Sequence, residues 1–394
     1  MKVVAVIMIL LLTACTAADG DRRPAADCAK ATPRDMDGDG RDDLVAGDTE
    51  QWRGGPGALY LITAGKVIKL PSPDKAARGL GAAVAMGDLD GDGCADVVAG
   101  APYTDVAGMP GAGAVYILYG GGSKPPGKLV APTPRPGAAF GESLAVHGDR
   151  IAVGAPHDDA DGVTAAGSVH LARKGTIHRT ITQDSPGIPG TSEPYDRFGT
   201  ALAMGPDAVL VGTPYEGTAT LVGDRATRLS PPTTCRDHTA TNNRATALDH
   251  DPTRGYAATL AYHRGFVVGG CGQVRVHDDD GQPKSRLSRK TEPTPDDGQP
   301  RSGLSSTAEP TLLAASSQGY AVVWSDGAWQ APPTEARPWQ QPEPWSAALT
   351  TTSLAVGMPT ASPGGAVAVL DLKSGKIQTY RAPGSTQLGD ALAG

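Results

Sequence analysis

The sequence predicts an all-β fold, a seven-bladed β-propeller in which the C-terminal strand completes the first blade. Three observations predict it. A short apolar motif ending in glycine recurs along the chain. The strand-like runs between its copies keep one order. The two ends of the chain are incomplete in complementary ways.

The recurring motif reads "LVAG" at 44–47, "VVAGAP" at 97–102, "IAVGAP" at 151–156, "VLVGTP" at 209–214, "FVVGGC" at 266–271 and "LAVGMP" at 354–359, with a degenerate "TLLAAS" at 311–316. The spacing is roughly 40 to 60 residues, the range of propeller blades. Ahead of the motif stands an opening run, "GLGAAVAMG" (79–87), "AFGESLAVHG" (139–148) or "RFGTALAMG" (197–205). After it comes a third run, "GAVYILYG" (113–120), "GSVHLAR" (167–173), "GTATLVG" (217–223), "GQVRVHD" (272–278) or "GAVAVLD" (365–371). A fourth often follows, such as "KVIKL" (66–70), "TIHRTIT" (176–182) or "KIQTYRA" (376–382). The runs are short, apolar and bounded by Gly and Pro, which is the grammar of strands. Four strands in each of about seven units describe a propeller.

The ends fit together. "DMDGDGRDD" (35–43) has no opening run before it, while "QLGDALAG" (387–394) is an opening run with nothing after it. Joined head to tail they match residues 80–100 almost position by position. Closure of this kind hides backbone edges that an open array would expose.

Composition agrees. Glycine (52) and proline (34) are abundant, aromatics make up 5% and charged residues 20%, so long helices are disfavoured. The net charge of −7, with no basic run, excludes nucleic acid as the expected partner.

Phe140-Gly141 and Phe198-Gly199, with Gly100-Ala101-Pro102 and Gly154-Ala155-Pro156, resemble the FG-GAP repeats of the integrin α-subunit propeller. The resemblance is strong through about residue 223, weak over 224–340 and clear again near the end. It implies an extracellular binding or adhesion module more than an enzyme. The rival expectation is a propeller hydrolase or lyase with its site at the central channel.

The nonapeptides at 35–43 and 88–96 place carboxylates at positions one, three, five and nine: Asp35, Asp37, Asp39 and Asp43, then Asp88, Asp90, Asp92 and Asp96. Hard divalent cations take six to eight oxygens, and Ca²⁺ tolerates irregular geometry better than Mg²⁺. The intervening glycines permit the tight path. The family resemblance adds a backbone carbonyl at position seven, here Arg41 and Cys94. Position twelve holds Ala46 and Ala99, so an EF-hand is excluded. Two Ca²⁺ sites with a structural role are therefore expected.

Residues 1–14 read as a signal peptide. Their apolar run is too short for an ordinary membrane span. "LTAC" (12–15) resembles the bacterial lipobox, which implies lipid modification of Cys15, a membrane-attached extracytoplasmic location and a tether over 15–27, leaving 28–394 as the propeller. The remaining cysteines, Cys28, Cys94, Cys235 and Cys271, are even in number, as an oxidising compartment allows. Three pairings are open. Cys28–Cys94 is favoured because it would tie the segment before the first acidic loop to the second loop. Cys235–Cys271 would then brace a degenerate unit.

Other motifs carry less. "HDDADG" (157–162) lacks the metal spacing and reads as a surface loop, and "HDDDG" (277–281) as a hairpin turn. "GAGAVY" (111–116) lacks the third glycine of a dinucleotide fingerprint, and "YGGGSK" (119–124) lacks phosphate-loop spacing. Ser143 sits in a strand, not a nucleophile elbow. A triad assembled from distant residues is left open. "WQAPPTEARPWQQPEPW" (329–345) reads as an inter-blade connection. The chain has no RGD tripeptide. The expected partner is a protein or glycan ligand of unknown identity, bound by a monomer.

Overall fold

The computed structural model describes residues 26–49, 55–122, 124–229 and most of 346–393, together with strands between 259 and 330. The signal segment, Cys15, most of the tether, Cys235, Cys271 and all of 331–345 lie outside the described residues.

The architecture is all-β, and the sheets are antiparallel. The first contains Leu392–Ala393, Leu44–Asp48, Ala58–Thr63 and Lys66–Lys69, in that order. The second contains Val84–Gly87, Asp96–Ala101, Ala114–Leu118 and Gly127–Leu129. The third runs through Ser143–His147, Arg150–Ala155, Ser168–Arg173 and Thr176–Ile181. The fourth takes Ala201–Met204, Val209–Thr213, Thr218–Val222 and Ala226–Leu229. Two three-stranded sheets follow, Thr259–Tyr262 with Phe266–Gly270 and Gln273–His277, then Pro310–Ser316 with Gly319–Trp324 and Trp329–Gln330. Ser346–Leu349, Ser353–Met358, Ala366–Asp371 and Ile377–Tyr380 form the last. "TLLAAS" is the first strand of its sheet, not the second position that its likeness to "VVAG" implies.

The first strands touch in succession. Val84–Gly87 meets Ser143–His147, which meets Ala201–Met204, which meets Thr259–Tyr262. Pro310–Ser316 touches Thr259–Tyr262 and Ser346–Leu349; Leu392–Ala393 touches Ser346–Leu349 and Val84–Gly87. Leu392 and Ala393 pair with Ala46 and Val45.

Period-two geometry gives each strand two faces, and here each face meets a different sheet. Val45, Leu59 and Leu61 pack with Leu80, Val97 and Tyr116 of the second sheet. Leu44, Tyr60 and Ile62 pack with Ala355, Val367 and Leu388 on the other side. Burial on both faces explains why the central strands are almost continuously apolar.

Glycines set the spacing between sheets. A Cβ on Gly47, Gly100, Gly154 or Gly357 would lie 2.0, 1.9, 2.3 or 2.1 Å from the carbonyl oxygen of Gly81, Gly141, Gly199 or Gly389 in the neighbouring sheet. Within each sheet the same opening glycines donate to a second-strand glycine: Gly81 to Gly100, Gly141 to Gly154, Gly199 to Gly212 and Gly389 to Gly47. The residue before the opening glycine is buried in every case, as Leu80, Phe140, Phe198 or Leu388. Its N–H donates across to Pro56, Ala112, Ala166 or Gly364. "FG" and "GAP" are thus two halves of one backbone contact.

The seam at the chain ends repeats this contact and adds polar bonds. Asp48 accepts from Thr386 N–H and Oγ1 and from Gln387 N–H. Asp390 accepts from the Thr49 N–H at 3.1 Å.

Candidate metal-binding hairpins

Each acidic loop leads into the second strand of its sheet, ending at Asp43 before Leu44 or at Asp96, the first strand residue. Local hydrogen bonds build the bend. Asp35 accepts from the N–H groups of Gly38 (2.7 Å), Asp39 (3.2 Å) and Gly40 (2.7 Å). Asp88 accepts from Gly91 (2.7 Å) and Gly93 (3.1 Å). Gly38, Gly40, Gly91 and Gly93 all have positive φ, which only glycine adopts without strain.

Position nine closes the loop on position two. Asp43 accepts from Met36 N–H at 2.9 Å, and Asp96 from Leu89 N–H at 2.8 Å. The Met36 and Leu89 side chains are buried in the cores between sheets. The recurring apolar residue at position two, visible in "DMDGDG" and "DLDGDG", is the signal for this peg; its role had no expectation attached.

The carboxylates converge in threes. Ligand oxygens of Asp35, Asp37 and Asp39 lie within 4.8 Å of one another, as do those of Asp88, Asp90 and Asp96. Asp43 and Asp92 are not members of these sets of three: Asp43 accepts from Met36 N–H beside Asp35 and Asp37, and Asp92 groups with Cys28 and Cys94. Those cysteines form a disulfide with Cα atoms 4.7 Å apart, so their sulfurs are not thiolate ligands. Arg41 is exposed, and its N–H donates to Asp39. Cys94 is buried, and its N–H donates to Asp92.

The electrostatics favour a cation. Asp43 has no exposed surface and its Oδ1 has no hydrogen-bond partner, nor has Asp37 Oδ1. Burial pushes the Asp43 carboxyl up to about 7, opposed by the nearby Thr63 hydroxyl and the Met36 N–H and reinforced by repulsion from Asp37 and Asp35. Burial likewise raises Asp96 to about 6, partly offset by N–H donors from Gly120 and Leu89 and reinforced by Asp90 and Asp92. A buried oxygen without a donor, beside two further carboxylates, is what a hard oxygen-seeking cation would relieve.

The two hairpins share a junction. Ala95 N–H donates to the Asp35 carbonyl at 2.8 Å, Gly121 N–H to the Met36 carbonyl at 2.9 Å, and the disulfide adds a covalent link.

"HDDADG" has a structural part. Asp158 is ion-paired with Arg135 at 2.7 Å and accepts from Ser168 Oγ at 2.7 Å. Ser168 Oγ lies 3.2 Å from His170 Nε2, and His170 Nδ1 lies 3.0 Å from Thr180 Oγ1. Although serine, histidine and aspartate meet here, the aspartate holds the serine and not the histidine. The order that activates a nucleophile is absent from this cluster. All three side chains are buried, and burial depresses the His170 imidazole to about 4.

Residues 80–118 and 126–172 each match the FG-GAP repeat. A stretch of 154 residues, 35% of this chain, is 29% identical to integrin alpha-PS2 of Drosophila melanogaster and spans 10% of that protein's length. The chain therefore carries FG-GAP repeats and is distantly similar, over part of its length, to an integrin α subunit. Among solved structures, a candidate 6-phosphogluconolactonase from Bacteroides uniformis aligns over 89% of this chain and 98% of its own at 9% identity, TM-score 0.51. Virginiamycin B lyase from Staphylococcus aureus aligns over 84% of this chain and 78% of its own at 10% identity, TM-score 0.39. At 9% identity the likeness to the first of these concerns the fold alone.

Proposed function

We propose that this protein is an exported, lipid-anchored β-propeller of seven blades, closed by its C-terminal strand. Its first two blades each hold a structural Ca²⁺, and it serves as a cell-surface binding, adhesion or scaffold module. The observation that carries the reading is the pair of acidic hairpins. They share one spacing and one hydrogen-bond plan, and the first contains a fully buried carboxylate oxygen that no donor meets.

The succession of first-strand contacts and the pairing of Leu392–Ala393 with Leu44–Asp48 support closure. The FG-GAP repeats and the distant likeness to an integrin support a binding role. In the first hairpin Asp35, Asp37 and Asp39 would hold the ion, with Asp43 behind them; in the second Asp88, Asp90 and Asp96 would do so. The Ca²⁺ would cancel mutual repulsion and stiffen the bend, with no reaction routed through it. The "LTAC" segment supports attachment through Cys15 at the outer side of a bacterial membrane. The ligand would be a protein or a glycan, and the module non-enzymatic and monomeric.

The test is thermal unfolding of the full chain in calcium and in chelator. In parallel, immobilised protein is challenged with glycan and protein arrays and a panel of hydrolase and lyase substrates. The reading expects a higher melting temperature in calcium, calcium-dependent ligand capture and no turnover. A melting temperature indifferent to chelator, or turnover on the panel, contradicts it.

A further inference from the structure

We propose that Lys124 is a built-in counter-cation of the second hairpin, which an incoming divalent ion must displace, so that the two hairpins bind the same ion with unequal strength. The inference rests on the calcium reading above and concerns how those sites are tuned.

Lys124 Nζ lies 2.7 Å from Asp90 Oδ2, an ion pair by distance that lacks the alignment of a hydrogen bond. The Asp90 side chain is only 7% exposed, whereas that of Lys124 is 51% exposed, so the ammonium reaches in from solvent to a nearly buried carboxylate. The ammonium also sits 5.4 Å from the centre of the Tyr119 ring, at cation–π distance.

The chain before it is anchored at Gly120 and Gly121. Gly120 N–H donates to Asp96 Oδ1 at 2.9 Å, and Gly121 N–H to the Met36 carbonyl at 2.9 Å. "YGGGSK" therefore carries a lysine to the hairpin. Its glycines let the chain pass close: a Cβ on Gly120 would meet the Ala95 carbonyl at 2.4 Å.

The first hairpin differs at the equivalent place. Its position-three carboxylate, Asp37, accepts from the neutral Thr63 hydroxyl at 3.2 Å. Among the described residues no lysine or arginine lies within ion-pair distance of Asp35, Asp37 or Asp39. An ion arriving there meets carboxylates alone. At the second hairpin it meets one fewer net negative charge and must break an existing pair. A half-exposed ion pair of this kind corresponds to a weakening of roughly fivefold.

The experiment is calorimetric titration of the full chain with calcium chloride at fixed ionic strength. Wild type is compared with Lys124→Met and Lys124→Arg, each also in an Asp37→Asn background that silences the first hairpin. The proposal expects two steps of unequal affinity in wild type. The weaker should survive Asp37→Asn, tighten roughly fivefold or more in Lys124→Met and stay weak in Lys124→Arg. If Lys124→Met leaves that step unchanged or weakens it, the proposal is overturned while the calcium reading stands. If wild type takes up no calcium at either hairpin, the calcium reading itself fails.

Discussion

Asp43 and Asp96 are carboxylates buried among other carboxylates, and this has a measurable consequence at the level of single residues. In chelator their side-chain carbons should titrate by NMR near about 7 and about 6, against an ordinary 3.8. The folded chain then holds these protons more tightly than the unfolded chain. The stability they contribute is fully present below the ordinary carboxylate value and is lost as pH rises through about 6 and 7. Calcium should return both midpoints to the ordinary range and remove that loss. Midpoints near the ordinary value in chelator would contradict this account of the hairpins. The ligand spacing was legible in the sequence because period-two alternation and glycine placement are local. That Asp43 and Asp92 stand outside the three-carboxylate groups was not legible. The Cys28–Cys94 disulfide, which joins positions 66 apart, is what brings Cys28 to Asp92.

Among the elements, the recurring contact is between a second-strand glycine and the opening glycine of the neighbouring sheet. Gly100→Ala would place a Cβ 1.9 Å from the Gly141 oxygen. Backbone on both sides has nowhere to go, so the two sheets must separate. A loss of about 3 kcal/mol is expected, read as a lower denaturant midpoint. An unchanged midpoint would show that the sheets are not held at this spacing. Gly40→Ala is not an equivalent control, since its positive φ adds strain of its own. The disulfide belongs to the same scale, because it joins a short turn at Cys28–Lys30 to the second hairpin. Replacing both cysteines by serine should cost about 4 kcal/mol by loop-closure entropy, measured by the same unfolding curve. An unaltered curve would deny it a bracing role. The Cys28–Cys94 pairing is legible in the sequence because Cys28 precedes the first acidic loop and Cys94 lies within the second. The strand order was readable for the same reason the glycines were: each run is bounded by residues with a backbone duty. "TLLAAS" misled because its apolar pattern fits any doubly buried strand, and position within a sheet is decided by neighbours.

For the whole molecule, the pairing of Leu392–Ala393 with Leu44–Asp48 is the contact on which the proposed ring closure rests. Ending the chain before Gln387 would remove Leu388, Gly389 and the Asp390 bonds to Thr49, leaving Val45 and Ala46 paired on one edge only, with Leu61 and Tyr60. The shortened protein should unfold at lower temperature and self-associate through the exposed edge, as light scattering would report. A soluble, equally stable product would contradict closure. The complementary ends made this seam legible in sequence, since both halves of one motif survive at opposite termini. Lys124 was not legible, because its partner Asp90 lies 34 positions earlier and only the fold brings them together.

Central to the account is that both acidic hairpins hold calcium. Crystals of the full chain grown in millimolar calcium, with diffraction collected where calcium scatters anomalously, test it most directly. The account predicts one anomalous peak among Asp35, Asp37 and Asp39 and another among Asp88, Asp90 and Asp96. Ordered hairpins with no peak at either place would contradict it.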